Sequence, residues 1–178
     1  MQKIVLTFGL IAGAILSAMM LLTLPFHDQI GFDNSAIVGY TTMVLAFLMV
    51  FFGVRSYRDN VAGGSVTFVR AFMVGLMITA IATVCYVATW ELVGQKLAPD
   101  YIDKYAAYSV EKARKSGATD AEIAAKTKEM AEFKEMYKNP LVNISLTFLE
   151  PLPVGLLFTL VAAGVLSRKR RREGAALA

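Results

Sequence analysis

Four long apolar segments constrain the fold of this chain more than any other feature of its sequence. They cover residues 4–24, 37–54, 68–93 and 141–166. Each reaches the ~17–25 residues that a helix needs to cross about 30 Å of hydrocarbon. Because backbone polar groups in lipid must be satisfied within the segment, such stretches span as helices. The sequence therefore predicts an all-α fold, an integral membrane four-helix bundle that takes in residues 1–178 as a single membrane domain.

The basic residues of the short connections predict how the spans are oriented. The connection after the second span holds Arg55, Arg58 and Arg70, and the tail 167–178 holds the basic run 168–172. The connection 26–35 has no lysine or arginine. Since lysine and arginine in short connections stay on the cytoplasmic side, both termini are predicted to be cytoplasmic. The first segment exceeds the ~7–15 apolar residues of a secretory signal, which predicts a retained span.

Residues 97–139, between the third and fourth spans, predict an extracytoplasmic helical hairpin. Ser116 and Gly117 are typical of a helix end, and Thr119 and Glu122 have the spacing of a capping box that opens a second helix. Each predicted helix has an apolar face, formed by Tyr101, Tyr105 and Tyr108 on the first and by Ile123, Met130, Phe133 and Tyr137 on the second. These faces either pack on the hairpin or on the bilayer surface, or they dock a partner.

Glu150 is the residue most indicative of a site inside the membrane. It lies nine residues beyond Leu141, about 13–14 Å into the fourth span at 1.5 Å per residue. A carboxyl group there costs free energy, so it is expected to face the interior of the bundle. Asn143 and Thr147 share its helical face at the spacing i, i+4, i+7. The prolines Pro151 and Pro153 predict an interrupted helix with free carbonyls beside this polar stripe.

Three interpretations of Glu150 remain open on the sequence. It is a proton or cation site, or a neutral carboxylic acid that joins helices by hydrogen bonding, or an interfacial residue of a span that begins later. Glu91 follows Trp90, which belongs to the aromatic belt of the membrane interface, so Glu91 is predicted to reach water. If Glu91 and Glu150 lie close together, they form one outward-facing acidic site.

The connector 51–72 has features that are not needed to orient the spans in the membrane. Arg55 and Asp59 are one helical turn apart and are predicted to form an ion pair. Arg58 and Arg70 are predicted to contact lipid phosphates or a cytoplasmic partner. The residues Gly63 and Gly64 predict a turn before the third span.

Most other chemistry is excluded by what the sequence lacks. His27 is the one histidine, so no catalytic nucleophile has a histidine base beside it, and no phosphate-binding glycine pattern is present. His27, Asp28 and Asp33 fall short of a metal-ligand set, and Cys85 has no second cysteine to pair with. The net charge of +4 is concentrated in the run 168–172 after a span, which favours a membrane anchor over nucleic-acid binding. The sequence predicts no enzyme, no cofactor and no metal site.

The connector and the start of the third span carry a family pattern. It consists of Gly-x-Arg-x-Tyr-Arg-Asp, a Gly-Gly turn and Thr-Phe-x-x-Ala-Phe-x-x-Gly, here Gly53, Arg55, Tyr57, Arg58, Asp59, Gly63, Gly64, Thr67, Phe68, Ala71, Phe72 and Gly75. The chain thereby resembles the uncharacterised bacterial inner-membrane family catalogued as domain of unknown function 4199. The resemblance implies a small four-span protein of the bacterial inner membrane, and it implies no catalytic or ligand-binding residue.

Two functional hypotheses follow. The first is an accessory or interaction protein that docks through the arginine-rich connector and the hairpin. The alternative is a small proton- or cation-coupled transporter or channel-like protein that uses Glu150. The expected partners are membrane lipids and another membrane protein, with no nucleic acid, and the oligomeric state stays open.

Overall fold

The computed structural model describes residues 1–167, which fold into helices joined by short turns. Four helical segments are long and apolar enough to cross a membrane: Gln2–Ile30, Phe32–Asn60, Phe68–Leu97 and Pro140–Leu166. They match the four apolar segments of the sequence, so the predicted all-α bundle is confirmed. The predicted basic tail 167–178 lies, apart from Ser167, outside the described residues.

The first two spans are longer than the apolar segments that predicted them. They contain α1 (Gln2–Thr23), a 3-10 turn (Leu24–Phe26), α2 (His27–Ile30) and α3 (Phe32–Asn60). The loop predicted at 26–35 is therefore wrong. This segment is mostly helical, because only Gly31, with φ 76°, separates two helical stretches. Asp33 lies in the first turn of α3, where the helix dipole favours an acidic side chain. The side chain of Asn34 donates to the carbonyl of Ile30 and links the two stretches.

The third and fourth spans each contain an irregularity near the same end of the bundle. The third consists of α4 (Phe68–Thr89), a π-helical turn (Trp90–Gly94) and α5 (Gln95–Leu97). The fourth consists of α8 (Pro140–Leu149) and α9 (Leu152–Leu166), separated by Glu150 and Pro151. Since Pro151 and Pro153 carry no N–H, the carbonyls of Thr147 and Leu149 lose their helical donors. The break predicted from the two prolines is present.

Between these spans lie the two helices of the hairpin, α6 (Tyr101–Lys115) and α7 (Asp120–Tyr137). The capping box of Thr119 and Glu122 is complete in both directions, and Gly117 ends the turn before it with φ 81°. An ion pair between Asp103 and Lys134 joins the two helices. The helical hairpin predicted between the third and fourth spans is thus present.

Small residues bring the spans together in the core of the bundle. A Cβ added at Gly9 would lie 2.8 Å from Cβ of Ile81, and one added at Gly13 would lie 2.6 Å from Cβ of Cys85. On α4 and α9, the hydroxyls of Thr79 and Thr159 are 3.1 Å apart in a buried hydrogen bond. The small-residue ladders of the spans therefore serve packing within the chain.

The hairpin covers the end of the bundle at which α1 ends and α8 begins, hereafter the hairpin end. The ring of Tyr101 lies 5.5 Å from Trp90, 5.5 Å from Phe32 and 5.8 Å from His27, measured between centroids. The opposite end, where α3 turns into α4, is the connector end. The aromatic face of α6 is thus packed on the bundle of its own chain.

Candidate functional site

A cavity of about 170 Å³ lies between the hairpin and the bundle. Apolar side chains of α1 and α3, among them Leu16, Met20 and Met43, form one wall. Thr23, Ser35 and Thr42 contribute hydroxyls from α1 and α3, and the other polar and aromatic members are His27, Tyr86, Trp90, Tyr101, Tyr137, Thr147 and Glu150. Of these residues only Glu150 is exposed, so the cavity opens beside its carboxylate.

Glu150 contacts the third span directly. The hydroxyl of Tyr86 donates to Oε2 of Glu150 at 2.8 Å. Within residues 1–167, no lysine or arginine forms an ion pair with this carboxylate. Tyr86 precedes Trp90 by four residues, or about 6 Å of helix. If Trp90 marks the membrane interface, Glu150 lies within roughly 10 Å of it and is closer to the hairpin side than the sequence indicated.

Asn143 forms a buried junction between α8 and the π-helical turn. The indole Nε1 of Trp90 donates to Oδ1 of Asn143 at 3.2 Å, and the hydroxyl of Thr147 donates to the same oxygen at 3.3 Å. Asn143 does not line the cavity, whereas Thr147 and Glu150 do. The polar stripe expected from the sequence therefore divides into a structural residue, Asn143, and two residues that face the cavity.

Two tyrosines of the hairpin form the roof of the cavity. Burial raises the pKa of Tyr101 to about 12, and the negative charge of Glu150 adds to this effect. Burial also raises the pKa of Tyr137. Both phenols consequently keep their protons at physiological pH. Tyr101, Tyr137 and Glu150 border the same cavity.

The hairpin is tied to the first two spans by two ion pairs. Nζ of Lys104 lies 2.6 Å from Oδ2 of Asp28, and Nζ of Lys112 lies 2.6 Å from Oδ1 of Asp33. Tyr108 also donates to Asp33. Exposed pairs of this kind contribute about 0–1 kcal/mol each, so they orient the hairpin more than they hold it.

His27 borders the cavity without forming a metal site. Its Nδ1 donates to the carbonyl of Leu24 at 2.8 Å, and its Nε2 lies 3.1 Å from Oδ1 of Asp28. The second contact lacks hydrogen-bond geometry, since Nε2 has no hydrogen-bond partner among the described residues. In that part of the chain, no three His, Cys, Asp or Glu side chains are placed to hold a metal ion.

Glu91 lies outside the cavity. Its Oε2 accepts from Nε2 of Gln95 at 2.8 Å. Its Oε1 is buried and has no hydrogen-bond partner within residues 1–167, which differs from the expected water-facing anchor. Glu91 and Glu150 are therefore not both part of the cavity lining.

The cavity does not continue toward the connector end. One and two turns below Met43, the side chains of Phe47 and Val50 on α3 are fully buried, as is Ile78 on α4. The hydrogen bond between Thr79 and Thr159 closes the same level between α4 and α9. The described bundle thus has a packed half at the connector end and an open half at the hairpin end.

The arginines of the connector differ from one another in their surroundings. Arg55 and Asp59 form the predicted pair at 3.7 Å, with 58% of the Arg55 side chain exposed. Nε of Arg58 donates to Oδ1 of Asp59 at 2.7 Å, and only 16% of that side chain is exposed. Arg70 is exposed at the start of α4. The side chains best placed for lipid or partner contact are therefore Arg55 and Arg70.

Several residues of the cavity were missed or assigned elsewhere by the sequence. Tyr86 is one aromatic residue in an apolar segment, and nothing local marks it as the partner of Glu150, 64 positions away. Tyr101 and Tyr137 were recognised as parts of apolar faces, and Trp90 as an interfacial residue. The sequence did contain one signal for this cavity, namely the aromatic side chains both at the end of the third span and in the hairpin.

A family model described as a protein of unknown function, DUF4199, matches residues 7–168. Neither the curated proteins nor the solved structures contain a match to the chain.

Proposed function

The chain belongs to DUF4199, a family described as proteins of unknown function, and we propose that it is an accessory membrane protein that senses a cation. Glu150 takes up the cation, in the simplest case a proton, from the hairpin side of the membrane. The hairpin then transmits the change to a partner protein. Placement in a bacterial inner membrane with both termini cytoplasmic is part of this proposal.

The observation that supports the proposal is the shared wall of the cavity. Glu150 and Tyr86 belong to the spans, whereas Tyr101 and Tyr137 belong to the hairpin. A change of charge at Glu150 therefore acts directly beneath the two hairpin tyrosines. A ligand shifts a conformational equilibrium only by its differential affinity for the two states, and contacts to both elements supply such a difference.

Two surfaces are available for the partner. One is the charged outer face of the hairpin, whose exposed side chains include Lys128 and Glu132. The other is the connector end, where Arg55 and Arg70 are exposed beside the apolar side chains of Phe68 and Val69. Basic and apolar side chains together suit a membrane interface, so this end contacts lipid headgroups as well.

Purification with native lipid in nanodiscs tests the proposal. We expect one partner at a fixed stoichiometry, and we expect Glu150→Gln to change its retention because that variant removes the charge beneath the hairpin. Glu91→Gln is the matched control, since Glu91 lies outside the cavity, and it should leave the complex unchanged. Recovery of the chain without a partner, or equal effects of the two variants, would contradict the proposal.

A transporter that uses Glu150 is the second candidate, favoured by the break between α8 and α9. Discontinuous membrane helices with free carbonyls are common at ion and substrate sites. The packed half of the bundle opposes a path through a single chain, so transport needs a rearrangement or a second copy. Proton or cation flux into liposomes that is lost in Glu150→Gln would favour this candidate over the accessory protein.

A further inference from the structure

We propose that the cavity binds a small methylated ammonium cation, with the Glu150 carboxylate as its counter-charge and aromatic side chains as its wall. This inference rests on the proposed function insofar as it names the class of cation sensed at the same site. It rests on three properties of the cavity, namely its aromatic lining, its charge and its size.

The third span and the hairpin give the cavity an aromatic lining. Tyr86, Trp90, Tyr101 and Tyr137 all border it. The rings of Trp90 and Tyr101 lie 5.5 Å apart at an angle of 70°, in an edge-to-face contact. Cations are attracted to the faces of such rings, most strongly to tryptophan, and the attraction increases when water is excluded. Methylated ammonium groups are the cations that aromatic cages select.

The charge and lining of the cavity favour an organic cation over the other classes of ligand. Glu150 is the one acidic residue in its lining, and no lysine or arginine of residues 1–167 borders it. An anion would meet the carboxylate without a compensating cation, and a neutral ligand would gain no attraction from its charge. An inorganic cation would take oxygen ligands from one carboxylate and from hydroxyls such as those of Ser35 and Thr42, and it would leave the aromatic side chains unused. A cation with an apolar surface pairs with the Glu150 carboxylate and packs on the aromatic rings of the lining.

The size of the cavity limits the ligand. A cavity of about 150 Å³ holds a benzene molecule of six heavy atoms. At about 170 Å³, the present cavity accommodates one ligand of similar size. Tetramethylammonium and choline fall in this range, whereas cations with long chains do not. Because the exposed side of the cavity is at Glu150, a short polar substituent on the ammonium group could extend there.

Trp90 provides a direct measurement, because it is the one tryptophan of the chain and it lines the cavity. The protein in nanodiscs is titrated with tetramethylammonium chloride at constant ionic strength, and the emission of Trp90 is followed. We expect a saturable change with tetramethylammonium and with choline. Sodium chloride and 3,3-dimethylbutan-1-ol, the uncharged analogue of choline, should give no saturable change.

Two variants separate the site from general effects on folding. Glu150→Gln should weaken binding by about tenfold, as expected when the counter-charge of a bound cation is removed. Gly39 lines the cavity on α3, and a Cβ added there meets no atom within 4 Å, so Gly39→Leu should fill the space and abolish binding. Gly164→Leu is the matched control, because its Cβ is equally unobstructed and it lies on α9 away from the cavity.

Saturable binding that is lost in Glu150→Gln and Gly39→Leu but kept in Gly164→Leu supports the inference. No saturable change, binding of the uncharged analogue with similar affinity, or binding retained in Gly39→Leu would overturn it. Since the titration needs neither a partner nor an ion gradient, it can fail while the accessory role stands. Binding without any partner in nanodiscs would instead uphold the ligand and contradict the accessory role.

Discussion

Asn143 shows how a single polar side chain joins two spans. Its Oδ1 accepts from the Trp90 indole and from the Thr147 hydroxyl, and all three residues are buried. A polar group in an apolar environment is costly without a partner, so each of these donors depends on the same oxygen. Asn143 therefore fixes the position of Trp90, which in turn forms part of the cavity wall.

Replacing Asn143 by leucine tests this junction. The variant keeps the volume but leaves the Trp90 indole and the Thr147 hydroxyl without their acceptor, which should lower the free energy of unfolding by about 1–2 kcal/mol. The measurement is unfolding in mixed micelles, followed by Trp90 emission. Ser145→Ala on the same helix is the control, since that exposed hydroxyl bonds only to its own helix. A loss no larger than that of the control would contradict the role of Asn143.

At the scale of single residues, the sequence shows which side chains are energetically costly in an apolar segment, but it does not show which residues they contact. A carboxylate in an apolar segment followed by two prolines is visible in one dimension, so Glu150 and the helix break were predicted. The partner of Glu150 was not, because Tyr86 lies on another span and the contact depends on how the spans are packed. The same reason explains the buried oxygen of Glu91, which the sequence placed in water.

Among the helices and loops, those that depend on neighbours in sequence were predicted, and those that depend on distant residues were not. The capping box at Thr119 involves neighbours in sequence, and it predicted the start of α7 correctly. Residues 26–35 were predicted to be a loop because they join two apolar segments, although most of them are helical. In this segment Asp28 and Asp33 pair with lysines of the hairpin that are 76 and 79 positions away.

Reversal of one of these charges tests how the hairpin is oriented. Lys112→Glu replaces an attraction to Asp33 by a repulsion, and we expect amide hydrogen exchange in α6 to become up to about fivefold faster, the effect of roughly 1 kcal/mol. The double variant Lys112→Glu with Asp33→Lys should restore slow exchange. Lys128→Glu is the control, because Lys128 pairs within α7 only. Unchanged exchange in the single variant, or no rescue in the double variant, would contradict the expectation.

The whole molecule combines a rigid half with an adaptable one. Toward the connector end, small residues and fully buried apolar side chains such as Phe47 and Ile78 leave no space between the spans. Toward the hairpin end, a broken helix, a π-helical turn and exposed ion pairs surround the cavity. Local structure of low stability is where ligand-responsive elements are usually found. Any response to a ligand is therefore expected in α6–α8, with the remaining spans as a fixed base.

The side of the membrane on which the cavity opens decides which ligands reach it. The positive charges of the connector predict that this end is cytoplasmic and that the hairpin is outside. Cysteine labelling tests the prediction, since Ser65 and Ser116 are both exposed and lie at opposite ends of the bundle. Cys85 is partly buried in a span and is removed first as Cys85→Ala.

With a membrane-impermeant maleimide, Ser116→Cys should be labelled in intact cells or spheroplasts, and Ser65→Cys only after permeabilisation. The two positions are matched serines in turns beside a glycine, so a difference in labelling reports their side of the membrane rather than their accessibility. The reverse pattern would invert the orientation and place the opening at Glu150 on the cytoplasmic side. The ligand would then come from the cytoplasm, and the exposed arginines of the connector would face outward, against the usual distribution of positive charge.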